Sequence, residues 1–81
     1  MNKLLVFSAS WCGPCKTLKP VLDQLDQESL VRYDIDADME KGTEYNIRAV
    51  PTLVLVDQDG VEIERVSGVQ TLSKLQEMLN V

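Results

Sequence analysis

Cys12 and Cys15 stand three residues apart in the segment Trp11-Cys12-Gly13-Pro14-Cys15, and the 81 residues hold no other cysteine and no histidine. A pair at this spacing can be a structural staple, half of a metal site or a redox couple. As a staple it would close a very small loop, where the entropic gain is least. The chain also reads as intracellular, where thiols are kept reduced. A four-ligand structural zinc site needs further Cys or His ligands, so only a metal shared across a dimer would remain. Redox exchange is the reading that the setting favours, because Cys-x-x-Cys in a βαβ context is a redox signal.

The placement matters more than the spacing. The pair falls where an apolar run ends and a helical period begins, so free amide donors and the helix dipole lower the pKa of the first thiol. Cys12 is therefore expected to be the attacking nucleophile, exposed at the tip. Cys15, one turn in and more buried, is expected to resolve the mixed disulfide. Pro14 suits a first turn, where its missing N–H costs nothing. Gly13 permits close approach of the chain and of a substrate backbone. Trp11, directly before the nucleophile and after a polar loop, is expected to cover the site rather than fill the core.

Several elements must position these residues. Lys3–Phe7 is a short apolar run of the kind buried on both faces of a sheet. Leu18, Val21, Leu22 and Leu25 recur at i, i+3, i+4 and i+7, one face of a helix from about Cys12 to Glu28, with Pro20 inside it expected to kink it. Leu30–Asp36 alternates, with Val31, Tyr33 and Ile35 on one face. A short helix over about 38–46 follows, then the apolar strand Thr52–Val56. Asp59-Gly60 signals a hairpin, and Val61–Val66 returns antiparallel. Leu72, Leu75 and Leu79 mark a final helix with Thr71 as N-cap. The order β-α-β-α-β-β-α implies an α/β fold: one domain over residues 1–81, a mixed four-stranded sheet in the order 2-1-3-4, helices on both faces.

Composition removes other classes. Thirteen acidic against eight basic residues give a net charge of −5, which repels phosphate backbones and argues against nucleic-acid binding. Nothing approaches the roughly 20 apolar residues that span a bilayer. The run Leu4 to Phe7 is too short for the roughly 7–15 residues of a signal-peptide core. The expected location is the cytoplasm.

With these residues in view, Trp11-Cys12-Gly13-Pro14-Cys15-Lys16, followed by Pro20, resembles the active-site segment of thioredoxins. Tyr45-x-Ile47-Arg48-x-Val50-Pro51-Thr52, Asp59-Gly60 and Gly68 extend the resemblance over nearly the whole chain. The extra N-terminal strand and helix of full-length thioredoxins have no counterpart, so the likeness is to a short-form thioredoxin with a minimal thioredoxin fold. The resemblance implies a cis peptide bond before Pro51, packed against the cysteine pair. It also implies a substrate groove lined by Trp11, Val50, Pro51 and Gly68.

Two positions depart from the family pattern. The buried Asp that the family commonly carries six residues before the first cysteine is Val6 here, and the neighbouring Trp is Ser8. The lysine that accompanies that Asp corresponds to Arg32, expected to pair locally with Asp34 and Asp36 while lending positive potential to the thiols. The resemblance implies a protein-disulfide reductase. The chain itself carries no dinucleotide fingerprint, no Gly-rich phosphate loop and no candidate metal site, so no bound cofactor and no metal are expected, and a monomer is the default. Its electrons would come ultimately from NADPH through thioredoxin reductase or an equivalent. The alternatives are a glutaredoxin-like protein recharged by glutathione and a thioredoxin-fold binding subunit. Against the first stand Cys-Gly-Pro-Cys in place of Cys-Pro-Tyr-Cys and the absence of paired glycines at Ser67-Gly68-Val69.

Overall fold

The computed structural model describes residues 2–80. Strand β1 (Lys3–Ser8) buries Leu4, Leu5, Val6 and Phe7 in succession, which a strand can do only when both faces of its sheet are covered. It lies inside the sheet, parallel to β2 (Leu30–Asp34) and antiparallel to β3 (Thr52–Val56). Strand β4 (Glu62–Ser67) pairs antiparallel with β3, giving the expected order β2-β1-β3-β4. All five residues of β3 are buried.

Alternation along β1 and β3 sends side chains to two cores. Leu4, Val6, Leu53 and Leu55 meet Leu18 and Leu22 of α1 (Gly13–Leu22) and Leu75 and Met78 of α3 (Leu72–Leu79). On the other face Leu5, Phe7, Val54 and Val56 meet Val31, Tyr33 and Ile35, covered by Tyr45 and Ile47 at the end of α2 (Met39–Glu44). Phe7 stacks on Tyr33 at 5.2 Å between ring centroids and meets Tyr45 at 5.7 Å. Helices therefore cover both faces, as the periodicities imply.

Local signals set most boundaries. Thr71 Oγ1 accepts the Lys74 N–H at 3.1 Å, so the expected N-cap forms. Gly60 takes φ +83°, a conformation that favours glycine, in a turn closed by the Asp57 N–H donating to Val61 O at 3.0 Å. A bulge near Leu55/Val56 shifts the returning strand, which begins at Glu62 rather than Val61.

Three elements are shorter than expected: α2 covers Met39–Glu44 rather than about 38–46, and α1 and β2 also stop early. Helix α1 ends at Leu22, not near Glu28. The Gln27 side-chain amide donates to the carbonyls of Leu22 at 2.8 Å and Leu25 at 2.7 Å, and residues 27–29 form a 3-10 turn capped by Asp26. Leu25 still reaches the core, so the apolar period outlasts the helix. Strand β2 stops at Asp34 because the chain turns there: the Ile35 N–H still reaches Ser8 O at 2.9 Å, but Asp34 O accepts the Ala37 N–H at 3.1 Å, and side chains brace the turn. Asp38 Oδ2 accepts the Asp34 N–H at 3.1 Å, and Asp34 Oδ1 accepts the Asp36 N–H at 2.8 Å.

Candidate active site

The end of β1 and the start of β3 lie side by side, Phe7 opposite Thr52. That register brings the segment after Ser8 against the segment before Thr52, although the two are some forty residues apart in sequence. Cys12 is the N-cap residue of α1, with Pro14 in the first turn. Cys12 and Cys15 are joined in a disulfide, their Cα atoms 5.3 Å apart. The Cys15 N–H donates to Cys12 Sγ at 3.2 Å. One of the orphan donors of the helix N-terminus is thus aimed at the sulfur.

From the other side, the Val50 carbonyl oxygen lies 3.6 Å from Cys12 Sγ, and the Val50–Pro51 peptide bond is cis. The Val50 N–H has no acceptor among the described residues. Pro51 O accepts the Gly68 N–H at 2.9 Å, with Gly68 at φ +84°, so the end of β4 is tied to the same place. Thr52 Oγ1 donates to Ala49 O at 2.7 Å and fixes the loop from within.

Burial corrects one expectation. Cys12 is only 4% exposed, and Cys15, expected to be the more buried, is the more accessible of the two. In this oxidised form Cys12 is tied to Cys15 on one side and lies against the Val50 carbonyl on the other. Gly13 and Pro14 are exposed, Val50 and Gly68 half-buried, and Pro51 fully buried. Within the expected groove, then, Trp11, Val50 and Gly68 offer surface and Pro51 does not.

Trp11 is 65% exposed and belongs to neither core. Its indole Nε1–H donates to Asp36 Oδ2 at 2.9 Å, a contact that inspection of the motif alone does not suggest. A signal for it exists: the parallel register sets Ser8 beside Asp34, and two residues further Asp36 comes beside the Ser10–Trp11 turn.

The expectation for Arg32 is also corrected. Its guanidinium donates to Asp23 Oδ1 at 3.2 Å, at the C-cap of α1, and to Gln27 Oε1 at 2.8 Å, in the 3-10 turn, not to Asp34 or Asp36. Asp34 is occupied in the turn after β2 and Asp36 by the Trp11 indole, while Arg32 projects to the face that α1 covers. There it lines a cavity of about 250 Å³ together with Cys15. Val6, Leu18 and Leu22 form the buried floor of that cavity, Pro51 and Ser8 part of its wall. Cys12 is not among its lining residues. Asp23 is held below its ordinary carboxyl range by the hydrogen bond from Lys19 first and that from Arg32 second. Among the described residues no group of three or more Cys, His, Asp or Glu side chains is placed to hold a metal ion.

A strand-to-helix disulfide with a cis-proline loop against it has counterparts among known proteins. The family model described as Thioredoxin matches residues 1–81. Thioredoxin of Bacillus subtilis (strain 168) is 42% identical over 79 residues, covering 91% of this chain and 75% of that protein. Thioredoxin of Chlamydia trachomatis is 37% identical over 81 residues, covering 95% and 78%. Among solved structures, a mutant thioredoxin from Halobacterium salinarum NRC-1 superposes with a TM-score of 0.88 at 35% identity, covering 98% of this chain and 72% of that one. The X-ray structure of Fasciola hepatica thioredoxin gives 0.86 at 32% identity, covering 98% and 78%.

Proposed function

The chain belongs to the thioredoxin family and is a thiol–disulfide oxidoreductase acting through Cys12 and Cys15, and we propose that in its dithiol form Cys12 attacks and Cys15 resolves. The observation that carries this order is the Cys15 N–H pointed at Cys12 Sγ at 3.2 Å. A donor at a helix N-terminus stabilises charge on the sulfur it faces, so Cys12 is the thiol that ionises more readily.

The cycle follows from that asymmetry. Cys12 thiolate attacks one sulfur of a protein disulfide, forming a mixed disulfide and expelling the other sulfur as a thiolate. Cys15 then gives up its proton to solvent and attacks Cys12 Sγ. The target leaves as a dithiol, two electrons richer, and the Cys12–Cys15 disulfide forms. The unpaired Val50 N–H supports docking of an extended target segment along residue 50 by backbone hydrogen bonding. Trp11 and Gly68 flank that segment, and the buried ring of Pro51 backs it.

The family implies disulfide-bearing substrates and a reductase partner in general. Our reading of that partner is a flavoprotein drawing on NADPH, so that this chain carries electrons without binding a cofactor. We place the protein in the cytoplasm as a monomer. No helix among the described residues is long and apolar enough to cross a membrane.

The test follows NADPH consumption during reduction of insulin disulfides. One cuvette contains thioredoxin reductase and another glutathione with glutathione reductase. Turnover with thioredoxin reductase, abolished in Cys12→Ser, is the expected result. Turnover with glutathione alone would overturn the assignment of the reductase.

A further inference from the structure

The cavity beside Cys15 is unusual for its walls. Its floor is apolar, yet three cationic side chains, Lys16, Lys19 and Arg32, reach its mouth. Asp23 pairs with Lys19 at 3.1 Å and with Arg32 at 3.2 Å, while Lys16 makes no ion pair among the described residues. Three positive charges thus face one carboxylate at this opening, on a chain whose net charge is −5. A cleft of one sign on a molecule of the other draws its own class of ligand.

Size narrows the class further. About 250 Å³ lies just under the roughly 300–1,000 Å³ of pockets for drug-sized molecules, and suits a compound of a few carbons. The reactive atom nearby is the disulfide. Cys15 lines the cavity, whereas Cys12 is 4% exposed and lines none of it. A small nucleophile entering here meets Cys15 first.

We propose that this cavity admits compact thiols bearing a carboxylate, and that they reduce the oxidised protein by attacking Cys15. The proposal rests on the redox reading of the cysteine pair given above. In the first step the incoming thiolate bonds to Cys15 Sγ, the Cys12–Cys15 bond breaks, and Cys12 leaves as a thiolate facing the Cys15 N–H. A second thiolate of the same kind attacks the small-molecule sulfur of the mixed disulfide. It leaves as a symmetric small disulfide, and Cys15 departs as a thiolate that takes a proton from water. Two small thiols are oxidised and one protein disulfide is reduced. The carboxylate rests among the cations at the mouth, and the short carbon chain lies on Val6, Leu18 and Leu22.

The experiment measures reduction of the oxidised full chain at low ionic strength by 3-mercaptopropionate, 2-mercaptoethanol and cysteamine. These probes are anionic, neutral and cationic. Rates are normalised to thiolate concentration, read by alkylation and mass spectrometry, and referenced to dithiothreitol. The expected order is anionic over neutral over cationic, with about tenfold between the extremes, shrinking as salt is added. Lys16→Glu and Arg32→Gln should each compress that range, and Ser8→Leu, which fills the cavity, should slow the anionic probe most. A second measurement uses Cys12→Ser, whose lone Cys15 thiol should react faster with 3,3′-dithiodipropionate than with cystamine. Equal normalised rates for the three thiols, or a preference that both charge substitutions leave unchanged, would overturn the proposal while the redox reading stands. A disulfide that dithiothreitol cannot reduce would overturn both.

Discussion

Asp36 holds Trp11 in place by a single hydrogen bond of 2.9 Å, with the indole otherwise two-thirds in solvent. An exposed aromatic ring beside a reactive disulfide is useful to a docking partner only if it is already oriented, since ordering it on binding costs rotamer entropy. Asp36→Ala should therefore lower the fluorescence anisotropy of this sole tryptophan and reduce kcat/KM for protein disulfides severalfold. Asp36→Asn, whose amide oxygen can still accept, should retain most of both; equal losses in the two variants would count against the hydrogen bond. At this scale the sequence was informative about the cysteines, because their chemistry is carried by residue type and position in the βαβ order. It was less so about their cover. The relative burial of Cys12 and Cys15 depends on where the Val50 carbonyl lands, and that depends on pairing between distant strands.

Among the elements, α3 and the β3–β4 hairpin were the most legible, because each has both a period and a punctuating residue. Thr71 caps the first, and Gly60 turns the second at φ +83°. Replacing Thr71 with alanine should cost about 1 kcal/mol of stability, the usual worth of an N-cap, read as a lower urea midpoint with an unchanged slope. Leu75→Ala, at a fully buried position where α3 meets the sheet, should cost roughly 2–5 kcal/mol. The end of α1 was hidden for the opposite reason. Leu25 keeps the apolar period while Gln27 takes the Leu22 and Leu25 carbonyls, and side-chain capping of this kind leaves no mark on hydrophobic spacing. Arg32 was misplaced because strand alternation assigns it a face but not a partner. The face is the one α1 covers, and Asp23 is there.

Taken whole, the molecule is a small acidic domain whose surface charges respond to pH in a defined direction. Lys19 and Arg32 hold Asp23 below its ordinary 3.8, and Arg65 holds Glu62 below its ordinary 4.5. A carboxyl depressed in the folded state stabilises fully above its ordinary pKa, and that contribution disappears as pH falls through the lower folded value. The gap in urea midpoint between the parent chain and Asp23→Asn should therefore be widest near neutrality and shrink as pH falls through the ordinary 3.8 and below it. Both groups are exposed, so the gap is small and narrows with salt. A gap that does not change with pH would mean that Asp23 acts through hydrogen bonding alone.

The fold also separates its two ends. The Cys15 N–H and the Val50 carbonyl, which lie against Cys12 Sγ, come from the start of α1 and the loop before β3, whereas the Asp57–Val61 turn lies at the far end of β3. Five residues of strand put about 17 Å between them. Gln58, Asp59 and Gly60 are all exposed, and exposed turn tips are where added chain is best tolerated. That turn is the natural handle of the molecule, where a fluorophore, an affinity peptide or a second domain could be spliced in while the redox end faces its partners unobstructed.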